Sequence, residues 1–276
     1  MNFKKSIIEH HMNLGYKIGA DGYVGNEKDN LLEKYPNWKE IKGELENGDG
    51  NEFKPDSSGR AKFMAVHSSC ALCVNNFALI KYHKNNVTLF GSSGFIKAEF
   101  EKKFPTSVGK RPANLDFYLE NKKMMIGIES KFSEPASSKL PNAKANLTKY
   151  HNHQKLLENL DPRFNEIIKF CIDCNEKLHL DAAQLIKHLI ALSLASINNN
   201  NKKAKLVYLY WVPLNHKKIE IYQKHEEELK TFKDQIKSLP ITFESCTYIE
   251  FWKMMEKNVV LSDIVKKIKK RYEFEV

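Results

Sequence analysis

Three residues in two neighbouring segments carry side chains suited to hydrolytic metal chemistry. Asp116 lies within ANLDFYLE, and Glu129 and Lys131 lie within IGIESKF. Both segments are otherwise mostly apolar, and a polar side chain there costs free energy unless it is paired or used. Two adjacent carboxylates can share a divalent cation, and a nearby ammonium can orient a water molecule or balance a phosphate. These residue types indicate metal-assisted phosphodiester hydrolysis, and the alternative is a salt-bridge cluster on the solvent face of a sheet.

The spacing of these residues predicts that they share one face of a β-hairpin, because side chains alternate between the two faces of a strand. A two-residue turn at Asn121 and Lys122 would join the two strands. That turn places Asp116 opposite Gly127, one pair away from Glu129. The glycine would leave a space beside Asp116 that a metal ion or a phosphate could enter.

The composition is that of a globular chain with excess positive charge. The chain has 276 residues, of which 42% are hydrophobic and 28% charged, enough for a buried core. A net charge of +10 and a pI of about 9.1 favour a polyanionic partner, nucleic acid first, although a generally lysine-rich composition explains the same charge. Five cysteines and no export signal indicate reduced thiols in a cytoplasm. No apolar run is long enough to span a bilayer, so we expect no membrane partner.

Hydrophobic periodicity and turn residues predict a single domain, residues 1–276, in which helices and strands follow one another. Ser68 or Ser69 is the predicted cap of the second helix. The predicted loops are residues 43–60 and 133–146. The predicted helices are residues 1–20, 67–82, 147–160, 181–197, 223–238 and 261–274, and the predicted strands are residues 95–104, 113–120, 123–132, 205–214 and 241–249.

The hairpin residues also form a recognisable motif. Asp116, followed on the next strand by Glu129-Ser130-Lys131, resembles the motif of the PD-(D/E)XK nuclease superfamily. The proline that usually precedes the aspartate is displaced here to Pro112. More narrowly, HSSCALCVNNF, PANLDFYLE and IGIESKF are similar to segments of a group of bacterial type II restriction endonucleases.

This resemblance implies an α/β (α+β) fold with a mixed sheet and a restriction-endonuclease-like core. That core consists of a helix, a three-stranded antiparallel meander, a second helix and a fourth strand, with flanking helices. The order of the predicted elements matches it over about residues 66–213. The flanking residues 1–65 and 214–276 would then serve DNA recognition or dimerisation.

The resemblance further implies a Mg²⁺-dependent endonuclease that hydrolyses double-stranded DNA in a bacterial cytoplasm, with Mn²⁺ as a substitute metal. By the family's pattern, Asp116, Glu129 and the backbone carbonyl of Ser130 bind the metal, and Lys131 acts on the water nucleophile. A type II restriction-like homodimer, whose two sites cut two strands, is the leading interpretation. The alternatives are a repair or structure-specific nuclease and a nucleic-acid-binding protein that has lost catalysis.

Four further residues are secondary candidates by the same resemblance. Many superfamily members add an acid from the early helix, but residues 67–82 contain none, so Glu52 and Glu101 are possible substitutes. Gln184 and His188 are four residues apart and share one helix face. Some relatives place a glutamine or lysine on this helix near the scissile phosphate. The alternatives are solvated glutamates and hydrogen-bonded side chains at a sheet edge.

Two cysteine pairs and a basic C-terminal segment are the remaining candidates for a metal site or a DNA contact. Cys70 and Cys73, and Cys171 and Cys174, have the spacing of zinc ligands. We interpret the first pair as small buried hydrophobes of an apolar helix, and we expect no structural zinc. The segment KKIKKRY, residues 266–272, would either contact DNA phosphates or form a solvated helix face.

Overall fold

The computed structural model describes residues 3–137, 140–174 and 178–276. The strands within these ranges are β1 Thr88–Leu89, β2 Ser92–Ser93, β3 Lys97–Phe104, β4 Ala113–Glu120, β5 Met124–Lys131, β6 Lys203–Tyr210 and β7 Thr242–Thr247. The α-helices within them are α1 Phe3–Asn13, α2 Trp38–Glu46, α3 Ser69–Tyr82, α4 Ala143–Leu147, α5 Gln154–Asn159, α6 Arg163–Cys174, α7 Ala182–Asn198, α8 Glu220–Ile236, α9 Tyr248–Met255 and α10 Ser262–Tyr272.

A mixed five-stranded sheet with the order β3-β4-β5-β6-β7 lies at the centre of the fold. β3, β4 and β5 form an antiparallel meander, whereas β6 runs parallel to β5 and β7 parallel to β6. Every residue of β6 except Lys203 is buried, as expected for a strand with parallel neighbours that is covered on both faces. The predicted α/β fold with a mixed sheet is confirmed.

Helices α3 and α7 cover opposite faces of the meander. On one face, the Phe77 ring of α3 stacks on Phe117 of β4 with 4.6 Å between the ring centroids. On the other face, Leu192 of α7 lies over Gly127 of β5. Ser68 caps α3 by accepting a hydrogen bond from the Ala71 amide, which is one of the two capping residues that the sequence allowed.

Several predicted boundaries are wrong at the periphery of the sheet. The predicted helix 147–160 is interrupted, because Asn152 has a left-handed φ of +54° between α4 and α5. The first helix ends at Asn13 instead of residue 20, just before Gly15 with its φ of +83°. The last residues of α2 occupy the start of the predicted loop 43–60. Residues 1–2 of the predicted first helix and residues 138–139 of the predicted loop 133–146 lie outside the described residues.

Three helices, α2, α6 and α9, have no counterpart in the sequence prediction, although the last two have a clear sequence signal. In α6, the buried residues Phe164, Ile167 and Ile168 follow the i, i+3, i+4 pattern of an amphipathic helix. In α9, Thr247 and Glu250 form a reciprocal capping box. None of the helices in the described part of the chain is long and apolar enough to cross a membrane.

The basic tail is only partly a solvated face, because Arg271 of α10 is buried and 1% exposed. Its Nε donates to Nε2 of His11 at 3.1 Å, and its Nη atoms donate to the backbone carbonyl and the side chain of Asn30. Its guanidinium also lies 4.8 Å from the centre of the Tyr16 ring. These contacts hold α10 against α1 through a buried cation.

The His11 ring is held in one neutral tautomer by this arrangement. Arginine cannot accept a hydrogen bond, so Nε2 of His11 is the acceptor, and Nδ1 donates to the Ile7 carbonyl at 2.7 Å. Burial, together with the charge of Arg271, lowers the pKa of His11 to about 3. The folded protein therefore binds fewer protons at this position than the unfolded chain once the pH falls below about 6.5.

We expect the free energy of unfolding to fall as the pH decreases from about 6.5 towards 3, and His11→Gln to reduce this dependence. Glutamine can keep a hydrogen bond but has no proton to gain. The measurement is Tm at pH 7.5 and pH 5.0 for both proteins, with the partly exposed His83→Gln as control. An equal drop in Tm for wild type and His11→Gln would contradict the assignment.

Candidate active site

The candidate site lies where β4 and β5 separate. Their paired residues run from the turn to the Phe117–Ile128 pair and end there. Beyond that pair, the amide of Ser130 donates to Oδ2 of Asp116 at 2.6 Å. The Asp116 carboxylate thus takes the place of a strand carbonyl and is held at the point where the strands diverge.

The register of this hairpin differs from the prediction. The turn residues are Lys122 and Lys123, because the Asn121 amide bonds the Met124 carbonyl at 3.0 Å. Continuing the observed register places Asp116 opposite Glu129 instead of opposite Gly127. The difference is two residues, so the paired residues 117–120 and 125–128 keep their predicted faces.

The space beside Gly127 is filled. A Cβ atom at this position would lie 2.6 Å from Leu115 Cδ1 and 2.9 Å from Leu192 Cδ1. The expected entry for a metal or a phosphate at Gly127 is therefore wrong. Leu115 lies on the α7 face whereas Phe117 stacks on α3, so the regular alternation of β4 is interrupted between these two residues, at Asp116.

Glu129 is the most deeply buried acid of the site, with 1% exposure. Its Oε1 lies 2.5 Å from Nζ of Lys131, and its Oε2 lies 2.9 Å from Nε2 of His188. Burial raises the pKa of this carboxyl, but the charges of Lys131 and His188 outweigh burial and lower the pKa to about 2. Glu129 is therefore ionised at neutral pH.

Lys131 has a second partner on α7. Its Nζ donates to Oε1 of Gln184 at 2.9 Å, in addition to its contact with Glu129. Burial lowers the pKa of Lys131, but Glu129, Glu134 and Asp116 raise it well above the ordinary value. The ammonium form is the stable one.

The pKa of Asp116 shifts in the opposite direction to that of Glu129. Burial, and then the negative charge of Glu129, raise its pKa well above the ordinary value, although Lys131 and the Ser130 amide act in the other direction. Without a cation, the pair therefore favours one charged carboxylate, Glu129, and one protonated carboxyl, Asp116. A divalent cation would displace that proton.

Glu101 lies on β3 directly across from Asp116, since the β3–β4 pairing continues on both sides of it. Its φ of +51° is a left-handed conformation that is strained for a residue with a side chain. Burial and the charges of Glu52 and Glu129 raise its pKa to about 7, although a hydrogen bond from Asn114 acts in the lowering direction. Glu101 is therefore a third acid near Asp116 and Glu129.

Glu52 is half-buried, and burial raises its pKa as well. It contributes negative charge to Glu101, which places it at the edge of the same acidic group. The structure therefore brings Glu101, on the strand next to Asp116, towards the two carboxylates, and brings Glu52, from the loop after α2, towards Glu101.

The sequence reasoning missed Glu134, which follows β5. Its Oε2 accepts from the Phe132 amide at 2.7 Å, and its Oε1 accepts from the hydroxyl of Ser69 at the start of α3. Together with Lys131 and Gln184, Glu134 lines a cavity of about 290 Å³ beside the site. The sequence signal that could have identified Glu134 is its position just after the strand that carries Glu129 and Lys131.

The cysteines are not gathered near a common centre. Burial raises the pKa of Cys70 and of Cys73, which disfavours the thiolate that a metal would need. Cys73 Sγ lies 3.9 Å from the Asp116 carbonyl. In the described ranges, no group of three or more His, Cys, Asp or Glu residues is arranged to hold a metal ion.

The donor set at Asp116 and Glu129 nevertheless fits Mg²⁺. This ion commonly uses one or two carboxylates and completes its coordination with water and phosphate oxygens, so a group of three protein ligands is not required. Both Glu129 oxygens are buried and, among the described residues, lack a partner with hydrogen-bond geometry. Asp116, Glu129 and the Ser130 carbonyl are hard oxygen donors of the kind that Mg²⁺ prefers.

The comparison with family models supplies the class of the protein, which is a restriction-endonuclease-like family. The model described as "Restriction Endonuclease associating with ARP" matches residues 8–273, and the chain belongs to this family. The match includes all the strands and the site described above. No curated protein and no solved structure matches the chain significantly.

We expect Asp116→Asn to raise the Tm of the metal-free protein. Because the folded-state pKa of Asp116 is raised, wild type loses stability as the pH rises from about 4 through that pKa, whereas asparagine stays neutral and can still accept from Ser130. The gain should grow with pH and reach at least about 2 °C, since 1 kcal/mol corresponds to about 2–4 °C in a chain of this size.

The measurement is Tm between pH 4.5 and 8.5 in EDTA. Asp234→Asn, an exposed acid on α8, is the control and should give no pH-dependent gain. A gain that is constant over this pH range would show that Asp116 titrates normally.

Proposed function

We propose that this protein is a Mg²⁺-dependent DNA endonuclease of the PD-(D/E)XK type and a type II restriction-like enzyme. The observation that carries the proposal is the meeting of Asp116, Glu129 and Lys131, here called the charged triad, where β4 and β5 separate. The negative charge of Glu129 raises the pKa of Asp116, and Lys131 lies 2.5 Å from Glu129. Membership of a restriction endonuclease family supports the same reading.

Each residue of the charged triad has a distinct role in the proposed reaction. Asp116, Glu129 and the Ser130 carbonyl would hold the metal, which when bound supplies Lewis-acid stabilisation of the phosphate. Lys131 keeps its proton, so it acts by orienting water and by stabilising negative charge on the phosphate, not as a general base. Burial of the site by α7 reduces competition from bulk water.

The substrate of the proposed reaction is double-stranded DNA in a bacterial cytoplasm, and the excess of positive charge supports a polyanionic substrate.

A homodimer would allow two sites to cut two strands. The 32.0 kDa chain should then behave in light scattering as a particle of about twice that mass plus the mass of the bound DNA. Cleavage of a plasmid into discrete fragments with fixed ends would support restriction, whereas cleavage only at lesions or branches would support repair.

We expect Asp116→Asn, Glu129→Gln and Lys131→Ala each to reduce plasmid cleavage by at least about 100-fold. The first two remove an anionic metal ligand and should weaken Mg²⁺ binding. Lys131→Ala removes no metal ligand, so this variant should still bind Mg²⁺. Mn²⁺ should replace Mg²⁺ in cleavage. The measurement is plasmid cleavage, with gel shift in Ca²⁺ as a parallel assay, in which all three variants should bind DNA.

The matched control is Glu120→Gln. Glu120 is a buried carboxylate on the same strand as Asp116, but its partners are Lys202 at 2.5 Å and Lys97 at 2.9 Å. Its variant should cut DNA at a rate close to that of wild type. Cleavage by Glu129→Gln at the wild-type rate would show that the active site lies elsewhere. A wild-type protein that binds DNA without cutting it would favour the alternative of a nucleic-acid-binding protein that has lost catalysis.

A further inference from the structure

The spacing of two residues on α7 matches the spacing of two residues on β5. Gln184 and His188 are four residues apart on a helix, a rise of about 6 Å. Glu129 and Lys131 are two residues apart on a strand, a rise of about 6.6 Å. The helix therefore meets the strand at both positions, with His188 on Glu129 at 2.9 Å and Gln184 on Lys131 at 2.9 Å.

The two oxygens of Glu129 are divided between different partners. His188 reaches Oε2, whereas Lys131 reaches Oε1. His188 is itself 2% exposed, so neither it nor Glu129 has room to adopt many rotamers. The His188 ring lies against Oε2 and leaves Oε1 facing Lys131.

Gln184 gives Lys131 an acceptor that does not depend on Glu129. If Glu129 Oε1 turns to another cation, the ammonium keeps its hydrogen bond to Gln184 Oε1. The backbone of Gln184 is fixed in the first turn of α7, because its amide donates to the capping side chain of Asp181 at 3.0 Å. Leu185 and Leu189 then anchor the same turns of α7 in the core.

We propose that Gln184 and His188, here called the α7 pair, are positioning residues, and that His188 sets the metal affinity of Glu129 while Gln184 sets the position of the Lys131 ammonium. This inference rests on the proposed function. It differs from the expectation that residues of this helix approach the scissile phosphate, since both side chains here contact protein groups of the charged triad.

The two positions should have separable effects. His188→Ala should raise the Kd for Mn²⁺ about 10- to 100-fold, the usual effect of removing a group that orients a metal ligand. His188→Gln should restore most of the affinity, because its amide reaches the place of Nε2, whereas the shorter His188→Asn should not. Gln184→Leu should leave the Kd for Mn²⁺ within about twofold and lower kcat about 10- to 100-fold with little change in KM.

The experiment is a Mn²⁺ titration of the full chain by calorimetry, with cleavage kinetics on a plasmid. Ser193→Ala is the matched control, as a buried polar residue of the same helix away from the charged triad. The proposal is supported if His188→Ala loses affinity and His188→Gln regains it. It is overturned if His188→Ala binds Mn²⁺ as wild type does, or if His188→Gln and His188→Asn are equally weak.

These outcomes are distinct from failure of the proposed function. A wild-type protein that neither binds Mn²⁺ nor cuts DNA contradicts the nuclease assignment itself. A wild-type protein that does both, while the Gln184 and His188 variants match Ser193→Ala, contradicts only the role of the α7 pair.

Discussion

A carboxylate as deeply buried as that of Glu129 must be surrounded by positive charge, and this requirement organises the centre of the molecule. An unpaired charge in such a place would cost several kcal/mol. Lys131 from the same strand supplies this charge at one carboxylate oxygen, and the His188 ring of α7 lies 2.9 Å from the other. Two side chains of α7 therefore contact β5 at this position.

The central strands and helices could be predicted from sequence because their local signals agree with their tertiary environment. The bounds of β4 are those predicted, 113–120, and α7 begins one residue after its predicted start. The turn between β4 and β5 is wrong by one residue. The paired residues of the two strands keep their predicted faces despite this error, because the register changes by two and the alternation of side chains has the same period.

The remaining features depend on contacts between residues that are distant in sequence. Nothing in the local sequence indicates that Glu101 adopts a φ of +51° or that β4 loses its alternation at Asp116. The contact of Glu134 with Ser69 joins a loop to the start of a helix far from it in the chain. The catalytic roles of the charged triad and the metal rest on resemblance and geometry, and they stay predictions.

The placement of β5 has a consequence for how the protein is made. Its parallel partner β6 follows only after a long crossover that contains α7, and non-local pairing of this kind is slow to form because the loop must close first. A ribosome-bound chain that ends before residue 182 already carries the charged triad, yet it has neither the helix nor the strand that enclose Glu129. Synthesis therefore completes the enclosure of the site late, so a nascent chain carries the charged triad before the site is closed.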